Sequence, residues 1–319
     1  MKVNIQSKHP QFVYKYNCKN TGIVGVYGIS GSGKSSLLQA IAGYNDKIEG
    51  CIKFRKKILF DTNNKHFPKV IKCSYMNQHP TLFPHWSVAE NLQFAQNYSN
   101  NKQKIDELLY KLDCQQLLNK RPKQLSGGEK QRVAFIRALL QIEQGCLVLL
   151  DEPYSALDGK LRKTALQLLK NYKDNCLIYL VTHDISELYH IADELLYIDS
   201  GQIAYQDSIQ KAMASSYKNL PIASRINIEN KKHVIYADDV SISLNKNPQS
   251  SIIHQIAVTI TEIKVIEEIV ILKLKLDSGI VDKSQQYIYA KITNNSLGKL
   301  KLKIQQNVFA YFKASSYQD

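Results

Sequence analysis

The chain has 319 residues, enough for two domains. Its 44% hydrophobic and 22% charged residues are those of a globular protein and exclude wholesale disorder. The net charge of +14 comes from 42 Lys and Arg less 28 Asp and Glu and contains no run of five like charges, so it reads as charge spread along the chain and not as a nucleic-acid-binding tail.

IVGVY at 23–27 predicts a strand, followed by a glycine-rich turn and a helix over 34–43. The Lys-rich stretch 45–70 reads as hairpin and loop. Residues 88–98 and 102–118 place Leu92 and Ala95, then Ile105, Leu108, Leu109 and Leu112, at helical spacing, and 128–140 is a third helix. Strand 146–150, helix 159–171, strand 176–181, helix 185–191 and strand 194–198 come next, and DSGQI at 199–203 is a tight turn between two strands. Strand–helix alternation implies a mostly parallel sheet covered by helices over 1–215, with 85–140 as a helical insertion. Residues 216–232 are polar and weakly patterned and read as a linker. Over 233–319, five runs rich in Ile, Val and Tyr predict a small antiparallel barrel or sandwich; ILKLKL and LKLKI alternate strictly.

The longest apolar runs, at 146–150 and 176–181, are far below the roughly 20 residues of a membrane span. The N-terminal MKVNIQSKHPQF lacks the apolar stretch of a signal peptide. Six cysteines without CxxC spacing make neither a disulfide framework nor a zinc set and fit a reducing, cytosolic compartment. Cys146 and Cys176 open apolar runs and read as small buried hydrophobes.

The chemistry starts at GISGSGKSS, residues 28–36, where Gly28, Gly31, Gly33, Lys34 and Ser35 fit G-x-x-x-x-G-K-[ST] between a strand and a helix. Glycines let the backbone wrap a polyphosphate. The amides around Ser30, Ser32 and Ser36 and the helix N-terminus point at its oxygens. Lys34 reaches the β- and γ-phosphates of ATP, and the Ser35 hydroxyl ligates Mg²⁺. CLVLLDEP at 146–153 puts Asp151 at the C-terminal tip of a buried strand, where it would hold Mg²⁺ through water, with Glu152 beside it to polarise the attacking water.

LSGGEKQR at 125–132 stands before that strand and resembles the signature of ABC transporter ATPases. Gln78 in YMNQ resembles the Q-loop of that family, SALD at 155–158 its D-loop, and His183 in VTHD its switch histidine. With the phosphate loop, five motifs in order cover most of residues 20–205. The resemblance implies an α/β P-loop (RecA-like) ABC ATPase domain with a helical subdomain, followed by a small all-β OB-like barrel of the Mop or TOBE kind. It implies ATP and Mg²⁺ as cofactors, with Ser35, Gln78 and Asp151 around the metal and Glu152, His183 and Gln78 in catalysis. Ser126, Gly127, Gly128 and Asp158 would face nucleotide held by a second copy in a head-to-tail homodimer. LSGG is also a plain capped helix start, and both readings can hold together. HPTLFPHWSVAENL at 79–92 would line a groove for a helix of a membrane permease, which itself receives solute from a binding protein outside the cell. The chain is then peripheral, at the cytoplasmic face of the membrane.

HVIYADDVSISLNKNPQSSIIHQIAVTI at 233–260 is similar to the C-terminal region of molybdate importer ATPases. Ser251 and His254 match the ends of the oxyanion-binding Ser-x-x-Asn turn of related barrels, with His in place of Asn. They leave open an oxyanion site, a sensor built on it, or a structural barrel. Sulfate, ferric iron and sugar importers are the competing readings, as is a nucleic-acid-linked ABC ATPase. The single ATPase module, the lack of a coiled-coil insertion and the lack of a stacking platform speak against nucleic acid as a partner. Phe12 and Tyr14, with Tyr16 as a further candidate, would stack on adenine or pack in the core.

Overall fold

The computed structural model describes residues 1–45, 47–63, 73–79, 81–97, 105–215, 217, 220–228, 231–246, 254–266, 268–276, 286–312 and 315–316. It divides into two compact units, Met1–Ser208 and Ile209–Asp319.

The first unit is built on β1 (Lys2–Lys8), β2 (Gln11–Asn17), β3 (Gly22–Tyr27), β4 (Glu49–Phe54), β5 (Lys57–Asp61), β6 (Cys73–Met76), β7 (Leu147–Asp151), β8 (Leu177–Val181), β9 (Glu194–Asp199) and β10 (Gln202–Ser208). They form one sheet in the order β5-β4-β1-β2-β10-β9-β3-β8-β7-β6. The β9-β3-β8-β7-β6 half is parallel, and β1, β2, β4 and β5 pair antiparallel. LVLLD and LIYLV are buried at every position, as strands with both faces covered must be. The helices are α1 (Lys34–Ala42), α2 (Val88–Asn97), α3 (Ile105–Lys111), α4 (Gly127–Leu140), α5 (Gly159–Lys170) and α6 (Ile185–Ile191). α2, α3 and α4 make up the helical insertion. The pattern expected over 102–118 resolves into α3 and, after Asp113 at φ 52°, a 3-10 turn at Gln115–Leu117.

The N-terminal hairpin β1–β2 was not anticipated. Its strands alternate exposed and buried residues without a break, so one face joins the core. Phe12, Tyr14 and Tyr16 lie on that face at 2%, 0% and 4% exposure, inside the cluster formed with Leu37, Ile41, Leu149 and Ile198. None of the three is available to stack on a base. The core alternative is the one the structure adopts.

The second unit opens with α7 (Ile209–Met213), followed by β11 (Ala223–Ile228), β12 (Lys231–Tyr236), β13 (Ser241–Ser243), β14 (His254–Ile266), β15 (Ile269–Leu276), β16 (Tyr287–Thr293), α8 (Asn294–Leu300), β17 (Asn307–Phe312) and β18 (Ser315–Ser316). An antiparallel sheet runs β13-β17-β14-β15-β16, beside a three-stranded sheet β11-β12-β18. A register shift between Ile260 and Glu262 bends the long β14. Val258, Ile260, Leu272, Leu274, Ile288 and Phe312 fill the core.

Two expectations differ here. The stretch 216–232 contains β11 and the start of β12: Ala223 and Ile226 are buried, which the polar neighbours Ser224 and Arg225 mask in sequence. LKLKI at 300–304 is not a strand. The Thr293 hydroxyl accepts from the Ser296 amide and starts α8, and Lys301 in the left-handed region ends it.

Candidate functional site

Four neighbouring parallel strands, β3-β8-β7-β6, end at the same sheet edge, and each delivers one motif. β3 leads into the glycine loop, β8 into His183, β7 into Asp151 and Glu152, and β6 into Gln78. Strand order therefore sets those groups in a row at the carboxyl edge, where open parallel sheets bind ligands.

The loop 28–33 rises between β3 and α1 with Ile29, Ser30 and Gly31 exposed at its crest. Two glycines are dictated by crowding. A Cβ on Gly28 would lie 2.2 Å from the Ile198 carbonyl oxygen, and one on Gly33, at φ 107°, 2.4 Å from the Tyr14 hydroxyl. Tyr14 instead donates to the Gly33 carbonyl at 2.8 Å. The turn after β9 fastens the loop further: Gly201 donates to the Ser32 carbonyl at 2.9 Å and accepts from the Val13 amide at 2.8 Å. The buried aromatic hairpin is thus a buttress for the loop.

Lys34 is buried, and its Nζ donates to the Gly28 and Ile29 carbonyls at 2.8 Å each. Burial pushes its pKa down, against the pull of Glu152 and Asp151. Among the described residues, the buried Ser32 Oγ has no hydrogen-bond partner. Asp151 is 2% exposed; burial pushes its carboxyl up, while the Ser35 hydroxyl bonded to it and the nearby Lys34 pull it down. A hydroxyl and a carboxylate paired beside a lysine fit a small, hard divalent cation bound between protein and phosphate.

Glu152 sits at φ 49°, a left-handed conformation unusual for its side chain. Its amide donates to the Val181 carbonyl at 3.0 Å, and its carbonyl accepts from Gln131 Nε2 at 2.7 Å. Oε2 of its carboxylate lies 3.4 Å from Gln78 Nε2 and 3.7 Å from Nδ1 of the largely exposed His183. The structure therefore brings Gln78, Glu152 and His183 to one oxygen.

Ser126 caps α4. Its hydroxyl accepts from the Glu129 amide, and the Glu129 carboxylate accepts from the Ser126 amide at 2.7 Å, a reciprocal pair that also holds the Glu129 pKa down. Asp158 caps α5 through the Lys160 and Leu161 amides. Among the described residues, none of the hydrogen bonds of Ser126 or Asp158 reaches the glycine loop; both residues are exposed. Within one copy each is engaged at the start of its own helix.

Sequence reasoning missed the residues that tie these parts together. Gln131 is 3% exposed. Its amide bonds the Glu152 carbonyl, the Ser155 hydroxyl at 2.9 Å and the Ala156 amide at 2.8 Å, docking α4 on the segment after β7. Its place three and four residues before the buried Ala134 and Phe135 was the available signal. Arg162 on α5 pairs with Glu187 on α6 at 3.4 Å and with Asp184, which caps α6 just beyond His183, at 3.7 Å. Burial pushes the Glu187 carboxyl up.

The segment before α2 is pinned by the fully buried Asn91, which accepts from the Phe83 amide at 2.8 Å and donates to the Ser87 carbonyl at 2.9 Å. Phe83, Trp86 and Phe94 pack with ring centroids 4.6–5.2 Å apart, with the Arg137 guanidinium 5.9 Å from Phe83. In the second unit Ser251 lies outside the described residues. The His254 ring stacks on Phe312 at 5.5 Å and meets His233 edge-on at 6.1 Å.

Residues 14–155 match the ABC transporter family model, and 250–317 match the TOBE domain. The molybdenum import ATP-binding protein ModC of Haemophilus ducreyi is 31% identical, over 92% of this chain and 93% of that protein. The chain belongs to the ABC transporter ATP-binding family. The ModC of Haemophilus influenzae is 28% identical over 99% of both chains. A solved dimeric post-hydrolysis ATP-binding cassette with ADP and Pi superimposes on 62% of this chain and 89% of its own, at 26% identity and a TM-score of 0.52. The chain is accordingly an ABC importer ATPase subunit that binds ATP and hydrolyses it to drive transport. No helix among the described residues is long and apolar enough to cross a membrane.

Proposed function

We propose that this ABC ATPase energises uptake of molybdate or a similar tetrahedral oxyanion, working as a homodimer on a separate membrane permease. The observation that carries the solute class is similarity to ModC proteins along nearly the whole of both chains, TOBE region included. Dimerisation is supported by the dimeric cassettes that share the fold and by the exposure of Ser126, Gly127 and Asp158, with Gly128 half-buried.

In this reading Lys34 leaves the Gly28 and Ile29 carbonyls for the β- and γ-phosphates. The loop amides and the start of α1 hold the remaining phosphate oxygens. Ser35 and Asp151 hold Mg²⁺, which neutralises phosphate charge when bound. Glu152 orients the attacking water, and Gln78 and His183 sense the γ-phosphate from either side of its carboxylate. Ser126 and the amides of Gly127 and Gly128 on a second copy close over the same phosphate. The Phe83–Trp86–Phe94 surface receives the permease. The engagement of His254 with Phe312 favours a structural C-terminal unit over an oxyanion sensor there.

The test is transport. Proteoliposomes carrying the intact transporter, this chain with its permease and binding protein, should accumulate molybdate in an ATP-dependent manner in preference to sulfate. Accumulation of sulfate, iron or sugar without molybdate would overturn the solute assignment and leave the ATPase reading intact. Calorimetry of the intact chain with molybdate should give no heat if the C-terminal unit is structural.

A further inference from the structure

Cys146 and Cys176 stand immediately before β7 and β8, at the end of those strands away from the phosphate edge. Leu147 and Leu177 are register partners, and the Leu177 amide donates to the Cys146 carbonyl at 3.2 Å, so pairing extends to the cysteines. Adjacent positions on paired strands lie about 5 Å apart, inside the Cα separation a disulfide spans. The two side chains turn toward each other. Their sulfurs are 3.8 Å apart and buried, with Cys146 at 7% and Cys176 at 1% exposure. All six cysteines are free thiols.

The pair is chemically unequal. Arg55, in the β4–β5 turn, donates to the Asn175 carbonyl at 2.9 Å and lies so close to Gly145 that a Cβ there would be 2.3 Å from its guanidinium. Asn175 and Gly145 directly precede the two cysteines, so one cation spans both turns. Cys176 accepts a hydrogen bond from the Cys146 thiol, donates its own to the Glu143 carbonyl at 3.2 Å, is approached by the Cys146 and Gly145 amides and feels Arg55; the Cys146 thiol, the two amides and Arg55 lower its pKa. Cys146 is pushed up, first by giving that hydrogen bond and then by burial. Cys18, Cys51, Cys73 and Cys114 are all pushed up by burial. Burial disfavours a thiolate at Cys176, but the thiol donor, the two amides and the cation favour it and prevail.

We propose that Cys146 and Cys176 form a redox-active dithiol that reacts with a hydroperoxide to give an intramolecular disulfide. The Cys176 thiolate attacks one peroxide oxygen, the O–O bond breaks, and the departing hydroxide takes a proton and leaves as water. Cys176 is then a sulfenic acid. Cys146 gives up its proton and attacks that sulfur; the S–O bond breaks, the S–S bond forms and a second water leaves. In sum two thiols and one hydrogen peroxide give one disulfide and two waters, the sulfurs losing two electrons and the peroxide gaining them. Closure requires the sulfurs to approach from 3.8 Å to about 2.05 Å. The second thiol keeps Cys176 from passing on to the irreversible sulfinic acid.

The experiment is peptide mapping of the full-length protein, treated with hydrogen peroxide, alkylated and digested without reductant. The expected result is loss of two alkylatable thiols per chain, recovered as one peptide pair linking Cys146 to Cys176 and released by dithiothreitol. In Cys146→Ser, dimedone should trap a sulfenic acid on Cys176. Recovery of both residues as alkylated thiols after peroxide treatment would overturn the proposal. So would a link from Cys146 to Cys73, or direct passage of Cys176 to sulfinic acid in the unaltered chain. The mapping of the unaltered chain requires no variant to fold.

Discussion

Gln131→Leu is the substitution that tests how the signature helix is joined to the proposed hydrolysis site. The side chain keeps its volume and loses three hydrogen bonds, to the Glu152 carbonyl, the Ser155 hydroxyl and the Ala156 amide. At about 1 kcal/mol net for each, the loss is about 3 kcal/mol. For a unit the size of Met1–Ser208, that lowers Tm by about 6–12 °C. The functional effect is separate. Glu152 holds φ 49° with its amide bonded to Val181 and its carbonyl bonded most closely by Gln131 at 2.7 Å, with longer bonds from the Ser155 hydroxyl at 3.3 Å and amide at 3.4 Å. With the shortest of these carbonyl bonds gone, the backbone should relax and shift the carboxylate away from Gln78 and His183. A displacement of about 1 Å costs on the order of 100-fold in kcat. Lys34 and Ser35 are untouched, so the Kd for ATP should stay within about threefold. Calorimetry and a coupled ATPase assay read the two effects. A Tm within about 2 °C of the parent together with an unchanged kcat would refute the reasoning.

Other substitutions probe other parts. Asp151→Asn should raise the Tm of the nucleotide-free protein at pH 7 and abolish Mg²⁺-dependent ATP binding. Burial raises the native Asp151 pKa above its unfolded value, so its contribution to stability is present at low pH and lost as pH rises through the native value; the gain from Asn should therefore shrink as calorimetry moves toward pH 4. Arg162→Ala leaves Glu187 without its 3.4 Å partner and should cost about 2 kcal/mol at neutral pH, moderated by the partial exposure of Arg162. Since burial also raises the Glu187 pKa, that cost should fall on acidification as the carboxyl takes up a proton; Tm measured between pH 5 and 8 gives the slope. Tyr14→Phe removes the bond to the Gly33 carbonyl and should cost about 1 kcal/mol with ATP affinity within about threefold, whereas a residue stacked on adenine would lose far more; titration calorimetry separates the two.

The site was more legible than its supports. Lys34, Ser35, Asp151, Glu152 and His183 announce themselves because phosphate chemistry demands particular residue types at strand ends, and strand order alone then aligns them. The period-two pattern of KVNIQSK and QFVYKYN was also present, yet lysines and asparagines on the exposed face concealed the strands. Reading that period would have placed Phe12, Tyr14 and Tyr16 on one buried face and removed them as base-stacking candidates. α8 was hidden for the opposite reason. Leu300, Leu302 and Ile304 alternate like a strand, and a threonine cap decides the matter locally. Gln131, Arg162 and Glu187 act through tertiary partners 21 to 25 residues away or on another helix, separations that no motif encodes.

Light scattering of Glu152→Gln on a sizing column tests the nucleotide clamp most directly. The variant should be a monomer without nucleotide and a dimer with Mg²⁺ and ATP, and the dimer should be lost when Lys34→Ala is added. A species that stays monomeric at saturating ATP, or one that pairs equally well with Lys34→Ala, would contradict the clamp.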